Sequence, residues 1–145
     1  MRHDSGFTGM NRALSGTQIE IAADGNACLM RWTNPAIIYA ISPGGEVVRR
    51  IDVDPGDPAY GPGSMHVFQN RIAVLFIEPN TYEKIMKVVD LKGHEIATYN
   101  EVRADGKPQA LLTGAFYCYT ENPTRFTFLG ANDDSKLQFW IAEPR

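Results

Sequence analysis

The chain has 145 residues, a formal net charge of -3 and a hydrophobic content of 43%, which suits one ordinary domain with its own core. Its basic residues are scattered, and this argues against nucleic acid as a partner, because nucleic-acid binders usually carry a basic stripe. The longest apolar runs are far shorter than the roughly 20 residues of a membrane-spanning helix. No membrane association is therefore expected.

The first predicted element is an N-terminal arm, residues 1–16, whose main apolar residues are Phe7 and Met10. It has no apolar core of the kind that a secretory signal needs. The chain therefore gives no sign of export; its compartment stays undetermined, and the cytoplasm is the default. Residues 19–32 follow, with two alternating apolar runs around Asp24-Gly25, which is a strong signal for a β-hairpin.

Two similar phrases, "SPGGEVV" at 42–48 and "LKGHEIA" at 91–97, each join two apolar stretches. Gly44 and Gly93 fall at matching places, where glycine would supply the positive φ that such turns often require. Residues 82–93 alone would also fit an amphipathic helix. The repeat favours a strand, because the equivalent "PAIIYAI" begins with proline and contains two adjacent β-branched residues.

A third copy follows at 116–143, with three apolar runs separated by "TENPT" and "GANDDS". Units of up to four strands at a spacing of about 45 residues are typical of β-propeller blades. The sequence thus predicts an all-β protein of three blade-like antiparallel repeats, at approximately 17–54, 64–101 and 109–143. Since propellers usually have about four to eight blades, we interpret residues 17–145 as half of a six-bladed propeller.

The predicted half-ring would expose two blade faces and an unpaired strand edge. Such surfaces are prone to association, so a homodimer that closes a six-bladed ring is expected, or else an N-terminal half that the chain lacks. The third repeat also stops after three strands. In closed propellers the last blade is commonly completed by a strand from the other end of the chain.

The stretch "GNACLMRWTNPAIIYAISPGGEVVRRIDVDP" resembles the blades of NHL-like six-bladed propellers. More narrowly, the order of "PGSMHV", "RIAVLF", "GAFYCYT", "RFTFLG" and "LQFWIAEP" is similar to the C-terminal half of acidobacterial propeller proteins. This resemblance covers about residues 17–143. It implies the propeller fold but no activity, and the chain departs from the NHL pattern at Cys28, where tyrosine is usual.

No short motif for a catalytic triad, a zinc site or a phosphate loop is present, and no cofactor is expected. Asp52, Asp54 and Asp57 form a carboxylate cluster that could bind calcium. The preferred interpretation is a loop between blades, stiffened by Pro55 and Pro58, with no ion. Cys28 and Cys118 share no motif; two small buried residues are favoured, and a disulfide between them is left open.

The repeat places Glu20, His66 and Tyr117 at matching positions on the innermost strand of each blade, which would line the central channel. These residue types suit acid–base chemistry or ligand binding, although hydrated channel residues would look the same. The preferred function is therefore a non-catalytic ligand- or protein-binding module. The alternative is a hydrolase or lyase of the propeller kind, with these three side chains around one cavity.

Overall fold

The computed structural model describes residues 19–112, 116–121 and 124–145. In this part of the chain the structure is all-β, as predicted, with three antiparallel sheets and no helix. The strands are β1 (Ile19–Ile21), β2 (Ala27–Arg31), β3 (Ala36–Ile41), β4 (Val47–Val53), β5 (Gly61–Phe68), β6 (Arg71–Ile77), β7 (Lys84–Asp90), β8 (Glu95–Asn100), β9 (Phe116–Glu121), β10 (Thr124–Ala131) and β11 (Leu137–Ala142).

Strand order follows chain order in every sheet: β1-β2-β3-β4 in the first, β5-β6-β7-β8 in the second and β9-β10-β11 in the third. Each sheet is therefore a meander, and the chain passes from the last strand of one sheet to the first strand of the next. Residues 84–90 form β7, so the strand interpretation of this segment is correct and the helical alternative is wrong. Within the described residues, no helix is long and apolar enough to cross a membrane.

The hairpins that join the last two strands of the first and second sheets have the same turn. Gly45, with a φ of 87°, donates its N–H to the carbonyl of Ser42, and Gly93, with a φ of 93°, does the same to Asp90. Both glycines occupy the left-handed region that side-chain-bearing residues avoid. Gly45 therefore matches Gly93, and the expectation that Gly44 does so was wrong by one residue.

The first apolar core lies between the first and second sheets. The residues that build it alternate along their strands, because successive side chains point to opposite faces. Cys28, Met30 and Ile38 come from the first sheet, and Val74 and Phe76 from the second, and all five are at most 2% exposed. This contact uses one face of each sheet.

The second core lies between the opposite face of the second sheet and the third sheet. Val88 and Tyr99 of the second sheet meet Phe126 and Phe128 of the third, and all four are fully buried. The rings of Tyr99 and Phe126 are nearly perpendicular at a centroid distance of 5.2 Å, which is a favourable geometry for aromatic pairs. The second sheet is thus covered on both faces.

The two cysteines are free and lie in different sheets. Cys28 is buried in the first core, as expected, because it lies on the face of β2 that meets the second sheet. Cys118 is exposed, so the expectation that both thiols are buried was wrong for this residue. In the register of the third sheet Cys118 pairs with Thr127, which alternates with the buried Phe126 and Phe128.

Candidate functional site

Glu20 and His66 meet where β1 and β5, the first strands of the first two sheets, approach one another. Glu20 lies on β1 opposite Cys28, so it is on the face that meets the second sheet. Its Oε1 is 3.1 Å from Nδ1 of His66, and its Oε2 accepts a hydrogen bond from the Val67 N–H at 2.5 Å. One carboxylate therefore binds both a side chain and the backbone of β5.

The Glu20 carboxylate is in a partly buried, donor-rich environment. Burial raises the pKa of Glu20, but the hydrogen bonds from His66 and Val67 outweigh this effect and lower the pKa below its ordinary value. The Glu20 and His66 side chains are 27% and 29% exposed, so the pair is open to solvent on one side. A charged carboxylate that orients an imidazole is a usual arrangement in acid–base sites.

A second hydrogen bond, between backbone groups, ties the same two hairpins together. The Ala23 N–H, just beyond β1, donates to the carbonyl of Gln69 in the turn after β5 at 3.1 Å. Together with the Glu20–Val67 bond, it provides hydrogen-bond partners for backbone groups at and just beyond the edge strand β5. Unpaired backbone groups on an edge strand promote association with other chains. Glu20 thus has a structural role beside any chemical one.

Tyr117, the third predicted site residue, lies on β9, which has the same place in its sheet as β1 and β5. The backbone register pairs it with Phe128. Its side chain is outside the described part of the structure. The structure therefore brings Glu20 and His66 together, and the membership of Tyr117 in this site stays a prediction.

The carboxylates proposed for calcium have other partners. Oδ1 of Asp52 binds Nε of Arg50 at 2.8 Å, Oδ1 of Asp54 accepts the Gly56 N–H, and Oδ1 of Asp57 accepts the Ala59 N–H. Across the described ranges, no group of three or more His, Cys, Asp or Glu side chains is placed to hold a metal ion. The structure does not bring Asp52, Asp54 and Asp57 together as such a group.

A surface that the sequence analysis did not identify lies beside β11. Phe139, Trp140 and Ile141 of this strand, together with Arg103 and Gln109, contribute to the lining of a cleft of about 460 Å³. Arg103 also binds Glu143 at 2.6 Å. Gln109 lies at the predicted start of the third repeat, ahead of its first apolar run, and no local motif distinguishes it.

Both outer faces of the stack expose apolar side chains, next to charged residues such as Arg50 and Asp52 on the first sheet and Arg125 on the third. On the first sheet Ile19 and Ile21 are 63% and 68% exposed, and on the third sheet Leu137 and Phe139 are 77% and 75% exposed. We define the outer face of the first sheet as Ile19, Ile21, Ile37, Tyr39 and Ile41, and the outer face of the third sheet as Leu129, Leu137, Phe139 and Ile141, following the strand registers. Exposed apolar patches that are rimmed by polar residues often mark interaction sites.

Comparison of the chain with protein-family models, with curated proteins and with solved structures finds no match to any of them. The resemblance to NHL-like propellers therefore stays a prediction, and the functional argument starts from the geometry alone.

Proposed function

We propose that this chain is a non-catalytic binding module, built as half of a six-bladed propeller, whose first partner is a second copy of itself. The observation that carries the proposal is the exposure of apolar side chains on both outer faces of the stack. Matching positions of the second sheet, such as Met65 for Ile19 and Met86 for Phe139, are buried because another sheet covers them. An uncovered face of this composition favours association with a further sheet.

The two outer faces match, by their positions in the repeat, the two kinds of face that pack together within the chain. The second sheet uses one face to pack against the first sheet and the other to pack against the third. In the repeat, the outer face of the third sheet corresponds to the face of the second sheet that contacts the third. The outer face of the first sheet corresponds to the face of the second sheet that contacts the first. A third sheet placed on the first sheet of another copy would therefore repeat a contact that already occurs twice in each chain.

Such a contact joins unlike surfaces, so it produces either a closed ring or an open filament. Two copies with three sheets each give six, a number within the range in which propellers close. Closure would cover both outer faces of both copies and leave none for further growth. A two-fold ring would also place two Glu20–His66 pairs at one channel, where a ligand would meet both.

The mass of the chain in solution, measured by light scattering on a sizing column, tests this proposal. We expect a dimer at tens of micromolar. Ile21→Lys, on the outer face of the first sheet, should give a monomer, because it places a charge in the apolar contact. Tyr82→Lys is the matched control: Tyr82 is 70% exposed but lies between the second and third strands of the middle sheet, so the dimer should persist. A wild-type chain that is monomeric at this concentration would contradict the proposal.

The Glu20–His66 pair favours a second candidate, a hydrolase or lyase with a polar site near the axis. The supporting observation is the 3.1 Å contact between the carboxylate and the imidazole, since a carboxylate that orients histidine is part of many acid–base sites. Hydrolysis of p-nitrophenyl acetate by the wild-type chain should then be lost in His66→Gln. Equal rates in both proteins, or rates no higher than buffer, would reject this candidate.

A further inference from the structure

Three loops of the first two sheets meet in one surface. They are residues 32–35 between β2 and β3, residues 54–60 between β4 and β5, and residues 78–83 between β6 and β7. Nδ2 of Asn34 donates to the carbonyls of Pro58 at 3.1 Å and Tyr60 at 2.9 Å. The hydroxyl of Tyr60 donates in turn to Oε2 of Glu83 at 3.1 Å. These bonds hold the three loops together, and we call them the aromatic loop surface.

Two large aromatic side chains project from the aromatic loop surface. Trp32 is 50% exposed and Tyr82 is 70% exposed, whereas Tyr60 is partly buried against the first core. Tyr82 has a φ of 61°, and its N–H donates to the Glu78 carbonyl at 2.8 Å, so a closed turn fixes its backbone. Packing within the chain thus accounts for Tyr60 but not for Trp32 and Tyr82. Aromatic side chains are enriched at contacts with partners.

The charges around these rings have one sign. The three loops contain no lysine, arginine or histidine, and they carry four carboxylates: Asp54, Asp57, Glu78 and Glu83. Lys84, directly after the third loop, is bonded to Oε1 of Glu101 and to the carbonyl of Tyr82, both at 3.1 Å, so its charge is balanced. Arg31, directly before the first loop, is in register with Ile37 on the outer face of the first sheet.

The loops at the opposite end of the same two sheets have a different composition. They are residues 22–26, 42–46, 69–70 and 91–94. They contain no Phe, Tyr or Trp and carry charges of both signs, such as Asp24 and Lys92. Asp24 also has a cation of its own chain nearby, because Arg49 lies 3.7 Å from it. The combination of exposed rings and uncompensated carboxylates is therefore confined to one end of the sheets.

A negatively charged, aromatic surface complements a positively charged partner. Ammonium and guanidinium groups are attracted to carboxylates and also to the faces of aromatic rings, within about 6 Å of the ring centre. Tyr60 contacts Asn34 through its carbonyl and Glu83 through its hydroxyl, so the length of a tyrosine side chain separates the first loop from the third. A linear partner with several cations can contact both loops, whereas a single small cation contacts one ring.

We infer that the aromatic loop surface binds an extended basic segment of another protein. Lysine or arginine side chains of this segment lie over Trp32 and Tyr82, and the carboxylates of residues 54–60 and 78–83 balance their charge. Extended chain covers roughly 3.3 Å per residue, so a few residues are enough to span the surface. All of the contacts are made by one chain, so this site stands apart from the proposed ring.

Fluorescence anisotropy of a fluorescein-labelled hexalysine peptide, titrated with the full chain, tests this inference. We expect saturable binding that weakens as NaCl is raised from about 50 mM to about 500 mM, because salt screens the attraction. Unlabelled hexalysine should displace the probe and hexaglutamate should not. Cellohexaose tests the other class of partner that exposed aromatic rings could accept. Binding of cellohexaose without binding of hexalysine would overturn the assignment of a basic partner.

Substitutions locate the binding on the chain. Tyr82→Ala should raise the dissociation constant for hexalysine about 3-fold, and Tyr82→Phe, which keeps the ring, should bind more tightly than Tyr82→Ala. Glu83→Gln should raise the constant by a similar factor, since it keeps an acceptor for the Tyr60 hydroxyl and removes the charge. Glu46→Gln is the matched control, because it removes one exposed carboxylate from the opposite end of the first sheet.

Equal losses in Glu83→Gln and Glu46→Gln would overturn the inference, because the peptide would then respond only to net charge. The same conclusion would follow if Tyr82→Ala bound like the wild type. Ile21→Lys, which we expect to be monomeric, should still bind hexalysine with losses at Tyr82 and Glu83 of the same size. Failure of the ring and failure of this site are therefore distinguishable.

Discussion

The second and third sheets have the same meander topology but differ in what covers them. In β6 of the second sheet five consecutive residues, Ile72 to Phe76, are buried, because this sheet lies between two others. In β11 of the third sheet Leu137, Phe139 and Ile141 are exposed, although they are as apolar as the residues of β6. The apolar composition of β11 is thus similar to that of a strand covered on both faces. In the proposed ring, a second copy of the chain would cover the exposed face.

The largest expected effect compares a phenylalanine from each of these sheets. Phe76→Ala should lower the free energy of unfolding by about 3–5 kcal/mol, because Phe76 is fully buried and its loss opens a cavity. Phe139→Ala should change it by less than about 0.5 kcal/mol, because Phe139 is 75% exposed. Urea denaturation in the Ile21→Lys background, where we expect a monomer, separates folding from association. Similar losses at both positions would show that the two sheets are covered alike.

A smaller effect compares the matched turn glycines of the first and second sheets. A Cβ at Gly93, in the middle sheet, would lie 3.0 Å from Cγ2 of Ile51 in the first sheet, whereas a Cβ at Gly45 would meet nothing within 4 Å. Gly45→Ala should cost about 1–2 kcal/mol through left-handed strain alone. Gly93→Ala should cost more, by about 1 kcal/mol, since the buried Ile51 must shift. Gly44→Ala is the control: Gly44 does not have a positive φ, so this substitution should lower the free energy of unfolding least.

The repeat made most of the described sheet structure predictable from the sequence. Local turn chemistry identified the hairpin at Asp24-Gly25, and the repeat identified β7 as a strand despite its helical alternation of apolar residues. The choice between Gly44 and Gly45 was not predictable in the same way. Two adjacent glycines tolerate a positive φ equally well, so only the hydrogen bond from Gly45 to Ser42 selects one of them.

The candidate sites were predictable only in part. The repeat alignment predicted that Glu20 and His66 lie at matching positions near a common channel, and the structure brings the two side chains into contact. The contact of Gln109 with Glu143 links residues 34 positions apart and has no local signature. The exposure of Cys118 was missed for a related reason: which face of β9 is covered depends on a neighbouring sheet, and the sequence of the strand does not carry that information.

A further comparison uses a buried hydroxyl at the contact between the second and third sheets. Tyr99 Oη is buried and has no hydrogen-bond partner among the described residues, and burial raises the pKa of Tyr99. Tyr99→Phe keeps the ring and its contact with Phe126, so it should leave the free energy of unfolding unchanged or raise it by about 1 kcal/mol. Urea denaturation measures this. A loss above about 1 kcal/mol would mean that the hydroxyl has a partner in solution.

The smallest expected effect again compares the two matched turns, this time through the polar side chain at the first position of each turn, Ser42 or Asp90. In the second sheet Asp90 accepts N–H groups from Lys92 and His94 and contacts the His94 ring at 2.9 Å. Burial raises the pKa of Asp90, but these hydrogen bonds outweigh it and lower the pKa to about 2. In the first sheet the hydroxyl of the equivalent Ser42 accepts an N–H from Glu46, and this side chain does not titrate.

Because the pKa of Asp90 is lower in the folded chain than in the unfolded chain, the charged carboxylate stabilises the fold at pH values above the ordinary pKa of aspartate. This contribution is lost as the pH falls towards about 2. The melting temperature of Asp90→Asn should therefore fall by a few degrees less than that of the wild type between about pH 6 and pH 3. Ser42→Ala should follow the wild type over this range. If Asp90→Asn and the wild type lost stability in parallel, the loss of stability in acid would come from other carboxylates. Glu20 is one such carboxylate, because its hydrogen bonds also lower its pKa.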